Sequence, residues 1–266
     1  MDRLLCLLSV LHLAYPAGAS VSSVFSNIYE NKLWSNAGGG SGPGSTLAYT
    51  VGARHVLAEV VTKHNITTIA DVPCGSFHWM STFMQEHPQI DYTGVDIVDL
   101  GLGKIHKDEP NLHFIQGDIS VVPLPAVDLV LSRDALQHLP FDIILRTLRN
   151  IQKADPKWFF VGSYPEAGQN NTDIPIGEYF NIDLQRPPFS LGTPAEDYPE
   201  HTVRCPPTLG CRRLVLTFLG SRVPLRSQMR STCTSTLRHR SAPGSCKPTD
   251  GRCFSIDRQK HACHTC

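Results

Sequence analysis

Between residues 67 and 164 short apolar runs alternate with stretches of helical period. "TTIADV" (67–72), "DYTGVDI" (91–97), "NLHFIQGDI" (111–119), "AVDLVLS" (126–132) and "PKWFFVGSYP" (156–165) are bounded by turn residues and predict five strands. "FHWMSTFMQEH" spaces Phe77, Met80, Phe83 and Met84 as one helix face. "PFDIILRTLRNIQKA" does the same with Ile143, Ile144, Leu148 and Ile151. "LGLGKIHKDE" predicts a short helix or a loop. Upstream, "TLAYTVGARHVLAEVVTKHN" predicts a helix capped by Ser45 or Thr46, with Leu47, Val51, Val56, Val60 and Val61 as its apolar positions. Such alternation predicts βαβ units and an α/β fold, a parallel sheet with helices on both faces. In these sheets ligands lie outside the carboxyl ends of the strands. "DVPCGS", "VDIVD", "GDIS" and "SRDALQH" all fall there, so four loops are expected to build one site.

The ends of the chain break this pattern. Residues 1–19 combine Arg3, the apolar run "LLCLLSVLHLAY" and the small residues Ala17-Gly18-Ala19, which predicts a secretory signal peptide cut after Ala19. The run is too short to span a bilayer, and no stable membrane anchor is expected. Residues 20–45 form an N-terminal segment with the Gly-rich loop "AGGGSGPGS". The main domain is expected over 46–200. Residues 201–266 lack either period and hold seven of the nine cysteines. Three readings stand for them: a disulfide-linked basic tail, a disordered one, or an out-of-frame translation. Within them only "RRLVLTFLG" suggests a strand, so the last strands of the sheet stay unplaced. Cys263-His264-Thr265-Cys266 is a lone C-x-x-C, weak support for zinc, and no metal site is expected.

The tail carries a net charge of +10 and the first 200 residues carry −10. An acidic body argues against nucleic acid as a partner. Two sequons, Asn65-Ile66-Thr67 and Asn170-Asn171-Thr172, agree with a secreted or extracellular glycoprotein, the alternative being a cytoplasmic protein.

The motif order resembles the class I S-adenosylmethionine (SAM) dependent methyltransferases, with a Rossmann-like fold. "IADVPCGSFHWM" stands in the place of their glycine-rich first motif, "YTGVDI" in that of the acidic second strand, "FIQGDIS" and "VDLVLSRDALQHLP" in those of the third and fourth. More narrowly it resembles a group with an "IPCGDFNWM"-like first motif, an upstream "SGPGS" and a downstream segment like "NTDIPIGEYFNIDLQRPPF". The resemblance covers about residues 28–190. It implies SAM as cofactor, held by Asp71, Cys74, Gly75, Ser76, Asp96, Asp118, Ile119 and Arg133. Gly75 permits close approach of the backbone. Asp71 can orient the turn or meet the amine, and Ser76 stands where the group has Asp. Asp96 is placed for the ribose hydroxyls, Asp118 for the adenine amino group and Ile119 for the ring. Asp134 and His138 are the candidate catalytic residues.

Each residue also has a plainer role. Asp96 can cap a helix, Asp118 can serve a turn, and Cys74 can be a packed thiol. Phe77, Trp79 and Met80 suit a core. Arg133 and Asp134 can pair with each other. The implied activity is methyl transfer to an unknown acceptor, a small molecule or a glycan. The alternative is a binding protein that keeps the fold without catalysis. A nicotinamide-dependent oxidoreductase ranks last, because "PCGSFH" lacks the G-x-G-x-x-G spacing.

Overall fold

The computed structural model describes residues 20–165, 170–200 and 212–217. The signal-peptide and cysteine-rich readings, residues 1–19 and most of 201–266, lie outside the described residues.

Helix α1 (Val21–Glu30) opens the described chain, and Ser20 caps it by accepting the Ser23 N–H at 3.1 Å. Two 3-10 turns follow, Ala37–Gly40 and Pro43–Ser45. Helix α2 runs Val51–His64, starting later than its predicted cap. Thr46 Oγ1 does accept the Tyr49 N–H at 3.3 Å, but it closes a turn and not the helix. The buried stripe of α2 is Ala53, Val56, Leu57, Val60 and Val61. Leu47 and Val51, expected on that stripe, are exposed.

The βαβ alternation then appears as β1 (Thr68–Asp71), α3 (His78–Glu86), β2 (Asp91–Asp96), α4 (Leu102–Ile105), β3 (Leu112–Gln116), β4 (Leu129–Ser132), α5 (Phe141–Ala154) and β5 (Trp158–Ser163). Strands β6 (Glu196–Pro199) and β7 (Arg213–Thr217) complete a seven-stranded sheet, in the order β3-β2-β1-β4-β5-β7-β6. Strands β1 to β5 pair in parallel, and β7 runs antiparallel between β5 and β6. The sheet therefore draws its seventh strand from beyond the expected boundary at residue 200. "RRLVLTFLG" does supply a strand, and "EDYP" supplies the other.

Neighbouring residues of a strand point to opposite faces, and β1 shows the consequence. Ile69 packs with Leu57, Val60, Met80 and Phe83 from α2 and α3, while Ala70 and Val72 pack with Ile144, Leu148 and Ile151 from α5. The sheet is thus covered by helices on both faces. The reversal of strand direction of travel across the sheet falls between β1 and β4, where a crevice opens at the carboxyl ends.

Candidate active site

The turn after β1 carries the densest set of constraints. Val72 N–H donates to the Leu131 carbonyl and Cys74 N–H to the Val95 carbonyl, so the turn is tied to both neighbouring strands. Gly75 sits at φ +55°, where a side chain is strained. A Cβ there would lie 2.8 Å from Ser41 Oγ, so the position is closed by space as well as by backbone. Gly94 of β2 has a related role: a Cβ there would lie 2.9 Å from Cys74 Sγ. Cys74 is a buried thiol, its pKa pushed well up by burial and then by Asp96. That is the packed form of cysteine and not the reactive one.

Asp96 ends β2. One carboxylate oxygen accepts the Gly75 N–H and the other the Val98 N–H, both at 2.9 Å. Burial raises its pKa, and these N–H groups partly offset that. Asp96 therefore caps the turn after β2 locally and also lines the cleft at the strand ends. Asp71 is buried and accepts from Tyr92 Oη at 3.0 Å. Burial pushes its carboxyl up to about 8, so at neutral pH it holds a proton. Asp118 Oδ1 accepts the Ser120 N–H at 2.8 Å, the turn role open to it from sequence, and Ile119 is buried beside it.

A cleft lies over these strand ends. Asp71, Cys74, Gly75, Asp96, Asp118, Ile119, Arg133, Asp134 and His138 all line it, so four separate loops meet in one place. Ser76 does not line it. Its N–H donates to Ser41 Oγ at 3.0 Å and its hydroxyl to the Gly38 carbonyl at 2.7 Å, which turns it toward the N-terminal segment. Trp79, expected as core, is buried and also reaches the cleft, with the Arg133 guanidinium over its ring at 5.5 Å.

Arg133 and Asp134 do not pair with each other. Arg133 Nε donates to Glu200 Oε1 at 3.0 Å, while Arg212 Nη2 meets Asp134 Oδ1 at 2.8 Å. Arg212 also donates to Tyr164 Oη at 2.7 Å and lies 3.4 Å from Glu200 Oε1. These partners come from the β6 and β7 strand ends, which is why local sequence missed them. Asp134, at φ +56°, is pushed up by burial, but Arg212 and Arg133 together hold its pKa below the usual carboxylate range. His138 Nδ1 lies 2.8 Å from the Glu178 carbonyl, an acceptor only, so Nδ1 carries the proton. Burial lowers the His138 pKa. The neutral ring therefore keeps an unprotonated Nε2, for which the described residues supply no partner.

The remaining wall was not legible in the sequence. Val21, Phe25, Tyr29 and Trp34 come from α1 and the turn after it, and Ser41 and Ser45 from the Gly-rich loop. Phe25, Trp34, His138 and Tyr179 form a chain of ring contacts at 5.9, 4.7 and 5.6 Å. The only available signal was the group-level "SGPGS", which carries no residue chemistry of its own. Among the described residues no group of three or more His, Cys, Asp or Glu side chains is placed to hold a metal.

The cleft fits SAM on its own chemistry. Carboxyl groups and hydroxyls suit a cationic ligand with a diol. Bound there, SAM would supply an electrophilic methyl group. Asp71, Asp96 and Asp118 would hold its polar groups, and Ile119 would face its ring.

Residues 69–154 match the methyltransferase-domain family model. No curated protein matches the sequence. Among solved structures, a 1,6-didemethyltoxoflavin N1-methyltransferase of Burkholderia thailandensis, bound to that substrate and S-adenosylhomocysteine, is 14% identical. The alignment covers 74% of this chain and 86% of that one, with a TM-score of 0.52. A SAM-dependent methyltransferase of Clostridium acetobutylicum is 12% identical over 76% of this chain and all of the other, at 0.48. Human N-acetylserotonin methyltransferase, in complex with SAM, is 18% identical over 55% of this chain at 0.42, and this chain spans 43% of its length. At such identities the first of these likenesses supports the fold. The family match describes residues 69–154 of that fold as a methyltransferase domain.

Proposed function

We propose that the protein transfers the methyl group of SAM to a small-molecule acceptor bound in the same cleft. One observation carries this reading: Asp71, Gly75 and Asp96 share a single cleft with His138 and an aromatic wall. The first three suit the donor. The second set suits an acceptor with a flat apolar body and an O–H or N–H group. His138 Nε2 would take the acceptor's proton, and Asp134 would stabilise the imidazolium, while proximity supplies most of the rate. The apolar lining of Val21, Phe25 and Trp34 favours a small molecule over a glycan. We further propose that the chain enters the secretory pathway, where SAM would have to reach the lumen.

Isothermal titration of the whole chain with SAM tests the proposal. Micromolar binding supports it. A folded protein that does not bind SAM would sink it, in favour of a non-catalytic binding protein.

A further inference from the structure

Ser41-Gly42-Pro43-Gly44-Ser45 has no role in the chemistry so far, yet the structure lays it against the turn after β1. Ser41 Oγ accepts the Ser76 N–H at 3.0 Å, donates to Ser76 Oγ at 3.0 Å, and lies 2.7 Å from Tyr29 Oη. Ser76 Oγ in turn donates to the Gly38 carbonyl. A hydroxyl has one proton and two acceptor positions. The Ser41 proton goes to Ser76, and one lone pair takes the Ser76 N–H. The other is left for the Tyr29 proton. Tyr29 Oη therefore presents lone pairs only.

Tyr29 and Ser41 line the same cleft as Asp71 and Asp96. A Cβ on Gly75 would lie 3.4 Å from Tyr29 Oη and 2.8 Å from Ser41 Oγ, so the two hydroxyls cover the bare Cα of the turn. The Ser76 N–H, which could otherwise meet an anion, is already occupied by Ser41. That corner of the cleft offers acceptors and carboxyl groups, a set complementary to a cation. Burial and the Asp96 carboxylate keep the Tyr29 phenol protonated.

We propose that the Tyr29–Ser41 pair is a subsite for the ammonium group of the donor's amino-acid end. The Gly-rich segment would then act as part of the cofactor site, by spending the turn's N–H and aiming the tyrosine oxygen. The proposal rests on SAM being the ligand of this cleft.

Two probes separate the two claims: SAM itself, and 5′-methylthioadenosine, which has the nucleoside and thioether but no amino-acid end. Both are titrated calorimetrically into the full chain. Tyr29→Phe is expected to weaken SAM binding about tenfold, as loss of one hydrogen bond to a charged group does, and to leave 5′-methylthioadenosine unchanged. Ser41→Ala, which releases both the tyrosine proton and the Ser76 N–H, should show the same selectivity and carries the test if Tyr29→Phe fails to fold by circular dichroism. Unchanged SAM affinity in folded variants overturns the subsite. Equal loss for both probes also overturns it, because the pair would then only support the turn. Wild-type protein that binds neither probe overturns the SAM reading itself and the subsite with it.

Discussion

Asp96 and Asp71 end adjacent parallel strands, yet their surroundings set them different tasks. Asp96 accepts the Gly75 and Val98 N–H groups and lines the cleft. Charge-assisted hydrogen bonds to a ligand are worth about 1.5–3 kcal/mol. Asp96→Ala should therefore weaken SAM binding about 10- to 150-fold in a calorimetric titration. Asp99, exposed and capping Gly101, should tolerate Ala with little change in affinity. If the Asp99 variant alone loses binding, the cofactor lies three residues further along the chain than placed here.

Asp71 makes a pH prediction. Its folded pKa is raised to about 8 from 3.8. Between those values the folded chain keeps a proton that the unfolded chain has released. The unfolded state then binds fewer protons, so this group makes stability fall as pH rises from about 4 to about 8. Urea unfolding of the free protein should show that slope, and Asp71→Asn should flatten it. A bound cation would favour the carboxylate, so SAM binding at pH 7 should release protons. Titration in two buffers of different ionisation enthalpy detects that release, and its absence would separate Asp71 from the cationic part of the ligand.

At the scale of elements, β7 is the piece that local pattern under-reads. It lies between β5 and β6, and Arg212, just before it, joins Asp134, Glu200 and Tyr164. Removing one partner of a buried ion network strands the others, at about 3–5 kcal/mol. Arg212→Met should lower unfolding stability by about that amount in urea, and adding Asp134→Asn should recover part of it. A loss under 1 kcal/mol would show that the network is replaceable by water. Helix α1 was likewise not predicted. Its buried positions are Val24 and Ile28, a face too narrow to announce a helix beside a Gly-rich loop.

The whole molecule offers a test of compartment. Asn65 and Asn170, the acceptor positions of the two sequons, are both exposed, so folding does not hide them from a glycosyltransferase. Expressed from its full sequence in secretory cells, the protein should begin at Ser20 by mass spectrometry and lose mass on treatment with an N-glycosidase. An intact Met1 would count against that route. Among the described residues no helix is long and apolar enough to cross a membrane.

The sequence by itself determined the alternation of β1 to β5 with α3 and α5, because apolar runs bounded by turn residues alternate there with helical faces. It also determined which loops meet, because right-handed crossovers leave the carboxyl ends of parallel strands on one edge. Asp71, Gly75, Asp96 and Asp118 were legible for that reason. Tertiary structure alone decided the rest. Ser76 turned from the cleft because a hydroxyl 35 residues earlier took its N–H. Arg133 and Asp134 chose partners 67 and 78 positions away over each other. Tyr29 and Trp34 came to the cleft from a segment with no strand of its own. Each choice depends on contacts between distant parts of the chain, and burial settles them because an unpaired buried charge or N–H costs more than any local preference supplies.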